Sequence, residues 1–496
     1  MAEQSLVKRT FIIYFFLLAA VPFGYVMRLL YARYFSVEQY GLFYAILSFL
    51  AIVMMLADFG MAETLGYYLP KFRVKNDKAN MKRAILTSAL FQICTSSAVV
   101  MLLLALSSAL GPYYFKYVGS AAILRLMLFY FFFFNIAKVM INISRGMKQD
   151  ILYALYEFSR QFIIAAFSAA LIFLIHPSSL FYGIIYVWII TYLILDLGFA
   201  IIIYSKIKGV LGVNARLSKR LFQEMVRYAF PIMLTSGILV MFSQVDTVMI
   251  TILKSVSDVA YYNIAFPTAN ILIILFMPLT FIILPTASEI FHKNDRKALN
   301  NVINFIYKTG SYVFLPFSLI MIAYPGTIIS VLFGAKYVSA APALQILALG
   351  IIFNGFNAIN LNILAGIGVV KERTRIIAAG LVINIILNYI LITLYGYYGA
   401  ALATTTSYII MLIFSFLVVK KNLHISLDFN SLAKVALSAL LFFASVTLLK
   451  HFIHLSLYYE AAIVILVSFI VYALSGLLLR IIDLKYLIGI LKNSSL

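Results

Sequence analysis

Ten polar side chains lie where the hydropathy leaves least room for them. Arg28, Lys138 and Arg160 are cations inside long apolar runs, and Asp58, Glu157, Asp196 and Asp246 are carboxylates in the same setting. Asn354, Asn384 and Asn388 add amides. An arginine in hydrocarbon costs from about 2.5 kcal/mol on insertion scales to far more in simulations. Each of these cations therefore needs an acceptor. The chemistry open to such a set is binding: arginine matches phosphate geometry, and amides and aromatic faces suit sugar hydroxyls and rings. The sequence has no phosphate loop, metal-ligand cluster or nucleophile constellation. Neither ATP hydrolysis nor glycosyl transfer is supported, so the expectation is a protein that is not an enzyme and carries no cofactor.

Arg28 lies about 18 residues into the first apolar run, roughly 27 Å along a helix at 1.5 Å per residue. It can snorkel outward, pair with Asp246 at a corresponding depth on the seventh run, or face a cavity. Arg160 falls near mid-membrane, where snorkelling is hardest. Glu157 is an i, i+3 partner on the same helix, and with Tyr153, Tyr156 and Gln161 the pair forms a polar stripe that we expect to face a cavity. Lys138 is nearer the inner end of its run, placed either to snorkel or to touch a substrate. Asp58 and Glu63 belong to the inner end of the second run, where basic loop residues are the plain partners and gating is the alternative. Asp196 can partner Arg160 or Lys138, or bind a coupling ion drawn from a proton or sodium gradient. The asparagines can bond sugars or neighbouring helices.

The elements that position these groups follow from composition. The 496 residues are 64% hydrophobic and 11% charged, with a mean hydropathy of +1.04. Apolar runs of about 20 residues recur from end to end, each long enough to cross about 30 Å of hydrocarbon as a helix. They do not alternate as barrel strands do. The fold class expected is an all-α polytopic membrane protein with about fourteen spans, near 10–35, 40–68, 83–110, 120–143, 151–175, 180–204, 227–252, 258–286, 302–325, 342–367, 375–396, 398–419, 432–450 and 459–482. The single cysteine, Cys94, excludes an internal disulfide. Lys8-Arg9 runs into apolar sequence with no small-residue cleavage site before Arg28, so the first span is expected to be retained. The net charge of +21 is concentrated in alternate loops, among them Lys71–Arg83, Lys206–Arg227, Lys420–Lys434 and Arg480–Lys492. That asymmetry follows the positive-inside rule and predicts a multi-pass protein of the cytoplasmic membrane with both termini in the cytoplasm. It needs no nucleic acid as partner.

The chain then starts again. Ser36-Val37, after the first span, recurs as Ser255-Val256, after the seventh, an offset of 219 residues. This suggests two six-helix lobes in parallel orientation: 1–208, a cytoplasmic linker 209–226, and 227–420. Two further helices over 421–496 are poor in intramembrane charge.

Several stretches resemble the polysaccharide-transporter (Wzx-type) branch of the multidrug/oligosaccharidyl-lipid/polysaccharide flippase superfamily. They are Tyr31 to Leu42, Asp58-Phe59-Gly60, Gln244 to Ile250, Val259 to Ala265 and Asn384 to Tyr389, the last followed by Gly399-Ala400-Ala401. The resemblance implies two lobes in a V around a central cavity. It implies alternating-access movement of a lipid-linked (polyprenyl-diphosphate) oligosaccharide or polysaccharide repeat unit. Lipid-linked oligosaccharide, membrane lipids and other polysaccharide-assembly membrane proteins are then the partners. A cation-coupled multidrug exporter of the same superfamily is the alternative, for which an acidic cavity is expected. A membrane-embedded glycosyltransferase or polymerase is the third reading, which the short outer loops disfavour.

Overall fold

The computed structural model describes residues 2–293, 295–423, 425–453 and 457–481, without the side chains of 2–8 and 457–458. The basic residues Lys8, Lys485 and Lys492 of the charge pattern lie outside the described side chains, as does the end of the last predicted span at residue 482.

Seventeen α-helices and no strand are found among the described residues. In chain order they are α1 (Ala2–Tyr34), α2 (Val37–Asp58), α3 (Met61–Val74), α4 (Lys78–Leu110), α5 (Ser120–Gly146), α6 (Asp150–Leu174), α7 (Pro177–Leu211), α8 (Lys219–Leu253) and α9 (Val256–Asn270). They continue as α10 (Ile273–His292), α11 (Arg296–Ala323), α12 (Pro325–Phe333), α13 (Ala341–Gly366), α14 (Val370–Tyr395), α15 (Tyr397–Leu423), α16 (Phe429–Phe452) and α17 (Leu457–Leu478). Among the described residues, fourteen spans are long and apolar enough to cross a membrane, the number expected from hydropathy.

Two predicted spans are broken. The run 40–68 divides into α2 and α3 because Phe59 and Gly60 adopt φ of 52° and 73°. Only glycine fits at 60: its backbone is left-handed, and a Cβ there would lie 2.8 Å from the Ala229 carbonyl oxygen. Asp58 closes the break by accepting a hydrogen bond from the Ala62 N–H at 3.3 Å. The run 258–286 divides into α9 and α10, and here prolines bracket the break. Pro267 and Pro278 lack the N–H that would continue the ladder, and bonds between them shorten to the i−3 type, as Leu275 N–H to Leu272 O at 3.1 Å. The break therefore recurs in the second span of each predicted lobe, by different chemistry. The expected linker 209–226 is mostly helical: α7 runs to Leu211, and α8 begins at Lys219 behind the Ser218 cap, whose hydroxyl accepts from the Leu221 N–H at 3.3 Å.

Contacts divide the chain into two compact units, Met1–Ala260 and Tyr261–Leu496. In the first, α1 packs on α6, α5 on α7, and α8 along α2 and α3. A buried cluster that includes Met61, Leu65, Leu69, Ile85, Ile143, Ile207 and Met225 ties α3, α4, α5, α7 and α8 together. In the second, α13 packs on α10, α11 and α15, while α16 and α17 close on α11 through Tyr324, Phe442, Val446, Val464 and Tyr472.

Candidate functional site

Four elements of the first unit enclose a cavity of about 390 Å³: α2 with Met54, Met55 and Asp58, α3 with Glu63, α5 with Phe134 and Lys138, and α8 with Met233, Ser236, Val240, Ser243 and Gln244. Its walls are largely apolar and its polar groups converge from all four helices, the usual character of a small-molecule site. Lys138 comes from the last third of α5, whose Asn135 and Asn142 bond back to their own helix. The lysine is thereby left to extend toward the α2–α3 break.

Lys138 Nζ donates to Asp58 Oδ2 at 2.7 Å and lies 3.3 Å from Glu63 Oε1. Asp58 is 2% exposed, and Lys138 and Glu63 are each 29% exposed. Asp58 ends α2, where a negative charge opposes the helix dipole, but it caps α3, where the same charge is favourable. The second oxygen of Glu63, Oε2, is buried with no hydrogen-bond partner. Two carboxylates thus face one ammonium. Lys138 lines the cavity, and the lining sets two carboxylates against that one cation, with neither Arg28 nor Arg160 among it.

Arg28, carried by α1, meets the α2 face that leads to the cavity. Tyr44, Ser48, Ala51, Met55 and Asp58 fall at i, i+4, i+7, i+11 and i+14 of α2, and the Arg28 guanidinium sits over the Tyr44 ring, 4.5 Å from its centroid. From Tyr44 to Asp58 is about 21 Å along the helix. The surroundings of Arg28 are Tyr44, Tyr40 and Tyr25 rather than the Asp246 carboxylate suggested by sequence. Its Nη1 is buried without a hydrogen-bond partner. Asp246 itself is buried at 4% exposure, and its neighbour Gln244 lines the cavity.

Arg160 pairs with Glu157 on its own helix, as the spacing indicated, and lies 5.8 Å from the Tyr192 ring centroid. This pair does not line the cavity. Asp196 takes neither expected partner. Its Oδ1 accepts from the Tyr156 hydroxyl at 2.9 Å, while Lys138 is held by Asp58 and Glu63.

In the second unit, Asn388 donates to Asn384 Oδ1 at 2.9 Å and Asn384 donates to Thr404 Oγ1 at 3.3 Å, both asparagines being fully buried. The Asn384 amide joins α14 to α15 through Thr404, Asn388 braces it from the same helix, and neither lines the cavity. Asn354 is half-buried on α13. Sequence reasoning missed the contribution of α8, through Ser236 and Ser243. The one local signal was Gln244 in the Gln-Val-Asp stretch.

The family model described as polysaccharide biosynthesis protein matches residues 6–291, more than half of the chain. The chain belongs to the polysaccharide biosynthesis protein family. The motif resemblance drawn from the sequence thus holds, and a second model, MatE, matches residues 231–390. This family member is 28% identical over 420 residues to the uncharacterized membrane protein MJ1068 of Methanocaldococcus jannaschii, covering 82% of each chain. It is 27% identical over 244 residues to the lipid II flippase MurJ of Bacillus subtilis, covering 45% of this chain and 44% of that one. In fold it is similar to the solved structure of a lipid II flippase MurJ in an inward closed conformation. The TM-score is 0.74 at 19% identity, over 96% of this chain and 99% of that one.

Proposed function

We propose that this protein is a flippase that moves a lipid-linked, diphosphate-bearing oligosaccharide or polysaccharide repeat unit across the cytoplasmic membrane by alternating access, with both termini in the cytoplasm. The observation that carries this reading is Arg28. It is a guanidinium within a membrane span, with a buried Nη1 that has no acceptor, on the α2 face that also lines the cavity. A buried donor on a cation is costly until an anion meets it, and a phosphate oxygen is the partner arginine fits best. The cavity at Lys138 and the cation at Arg28 would give a charged headgroup two stations along one helix, while an isoprenoid tail stays in lipid. Membership of a polysaccharide biosynthesis family and likeness to a protein named as a lipid II flippase support the same cargo class.

One observation favours a second reading. The cavity holds two carboxylates against one lysine, which suits a cationic cargo of the kind a multidrug exporter carries. Translocation of a labelled isoprenoid-diphosphate oligosaccharide in reconstituted vesicles decides between them. Wild type is expected to move it, Arg28→Ala to be slower by about tenfold or more (the equivalent of one charge-assisted hydrogen bond), and Arg28→Lys to retain part of the rate. Transport of a labelled organic cation in place of the lipid-linked sugar would overturn the first reading.

A further inference from the structure

We infer that Glu63 is a built-in competitor for the anion position at Lys138, so that an anionic headgroup engages the cavity only by displacing it. The inference rests on the anionic-cargo reading above. Among the described residues lining the cavity, Lys138 is the sole cation. Its ammonium has three donors, and the carboxylates of Asp58 and Glu63 stand at 2.7 and 3.3 Å.

The two carboxylates are not equivalent. Asp58 is 2% exposed, and its other oxygen caps α3 directly after the left-handed pair Phe59-Gly60. Withdrawing it would uncap that helix at its break. Glu63 has a longer side chain, is 29% exposed, holds the lysine at the longer distance, and keeps Oε2 buried with no partner. It gives up little on leaving. Asp58 is therefore the fixed counter-ion that aims Lys138, and Glu63 is the occupant of the position a phosphate oxygen would take. Ser236, Ser243 and Gln244 on the α8 wall are placed to bond the rest of such a headgroup. The predicted sign is unusual: removing an acidic residue from the cavity strengthens binding of an anion, because it removes both a competitor and a like charge within a few ångströms.

The test uses the purified full chain in detergent at low ionic strength, titrated with farnesyl diphosphate and, as a neutral control, farnesol. Glu63→Gln is expected to bind the diphosphate at least about tenfold more tightly than wild type. That floor is set well below the bare repulsion of one like charge a few ångströms away at an effective dielectric near 20, because solvent screens a part-exposed group. The gain should vanish in the Glu63→Gln/Lys138→Gln double variant, and farnesol should not distinguish any of them. Glu63→Ser serves as a second variant, each being checked by thermal unfolding. Equal diphosphate affinity in wild type and both folded Glu63 variants would overturn the inference and leave the anionic-cargo reading standing. Failure of wild type and variants alike to bind the diphosphate, with tetraphenylphosphonium bound by wild type and weakened in Glu63→Gln, would overturn both.

Discussion

The two compact units solve the same problem, polar groups inside a membrane protein, in different currencies. The first places ionisable side chains within its spans: Arg28, Asp58, Lys138, Glu157, Arg160, Asp196 and Asp246, with Glu63 just past the α2–α3 break. In the second, α13 carries no Asp, Glu, Lys or Arg, nor does any position from Ile376 to Val419. Many of its buried polar groups are amides and hydroxyls bonded to one another. Tyr307 donates to Asn360 at 2.6 Å, Asn360 to Ser415 at 3.1 Å, and Ser318 to the Ala348 carbonyl at 2.7 Å. Neutral donors and acceptors can be matched one to one, and such helix contacts are worth a modest amount each. Charges leave remainders. The Lys138 cluster has one carboxylate too many, and Arg28 has one donor too many. The second unit leaves remainders too, since Asn357 Oδ1, Tyr324 Oη and Ser468 Oγ are buried with no hydrogen-bond partner, but they are neutral, and a charged remainder is the costlier to leave. Under the proposed function, the first unit is therefore where an anionic headgroup would be met.

The sharpest way to break that comparison is Lys138→Ala. It strands Asp58, 2% exposed, without its counter-ion, and removing one member of a buried pair costs about 3 kcal/mol or more. Thermal unfolding in detergent should show that loss together with loss of transport. Lys138→Ala with Asp58→Asn should recover most of the stability and none of the transport. Recovery of both would make the cluster structural and erase the distinction between the units. Arg160→Ala is the next largest. Its partner Glu157 is 25% exposed, so the stability cost is expected to be about 1 kcal/mol, as for a partly solvated pair. Vesicle transport should be lost, with Arg160→Lys retaining some. Wild-type transport by a well-inserted Arg160→Ala protein would return this pair to a purely structural role.

How much of this was legible in the sequence depends on the range of the interaction. The fourteen spans were, because hydropathy is a local property summed over about 20 residues. So was the Arg160–Glu157 pair, which an i, i+3 spacing places on one helix face. The breaks were not. Leu56 to Leu65 stays apolar enough to read as continuous helix, and only Gly60, in a left-handed backbone against the Ala229 carbonyl, shows why it ends. Lys138 and Asp58 are 80 residues apart. Sequence gave each an approximate depth but no rotation about its helix axis, so the lysine could be assigned to substrate and the aspartate to loop residues with equal justice. The same gap hid the Tyr156–Asp196 bond, since Arg160 and Lys138 were better charge partners on paper than a tyrosine.

The smallest expected effect tests the second unit. Asn388→Ala removes the donor to Asn384, leaving one buried acceptor short of a partner. The cost should be about 1–2 kcal/mol, seen as a lowered unfolding midpoint, because Asn384 keeps its bond to Thr404. Transport per inserted molecule should stay within about twofold of wild type, a change of less than 0.5 kcal/mol in the rate-limiting barrier. The sign that matters is the split between the two readouts. A helix-joining amide lowers stability and spares turnover, whereas an amide that reaches the cargo in another conformation would spare stability and lower turnover. The second outcome would give the neutral unit a share of cargo recognition and require that α14 part from α15 during the cycle.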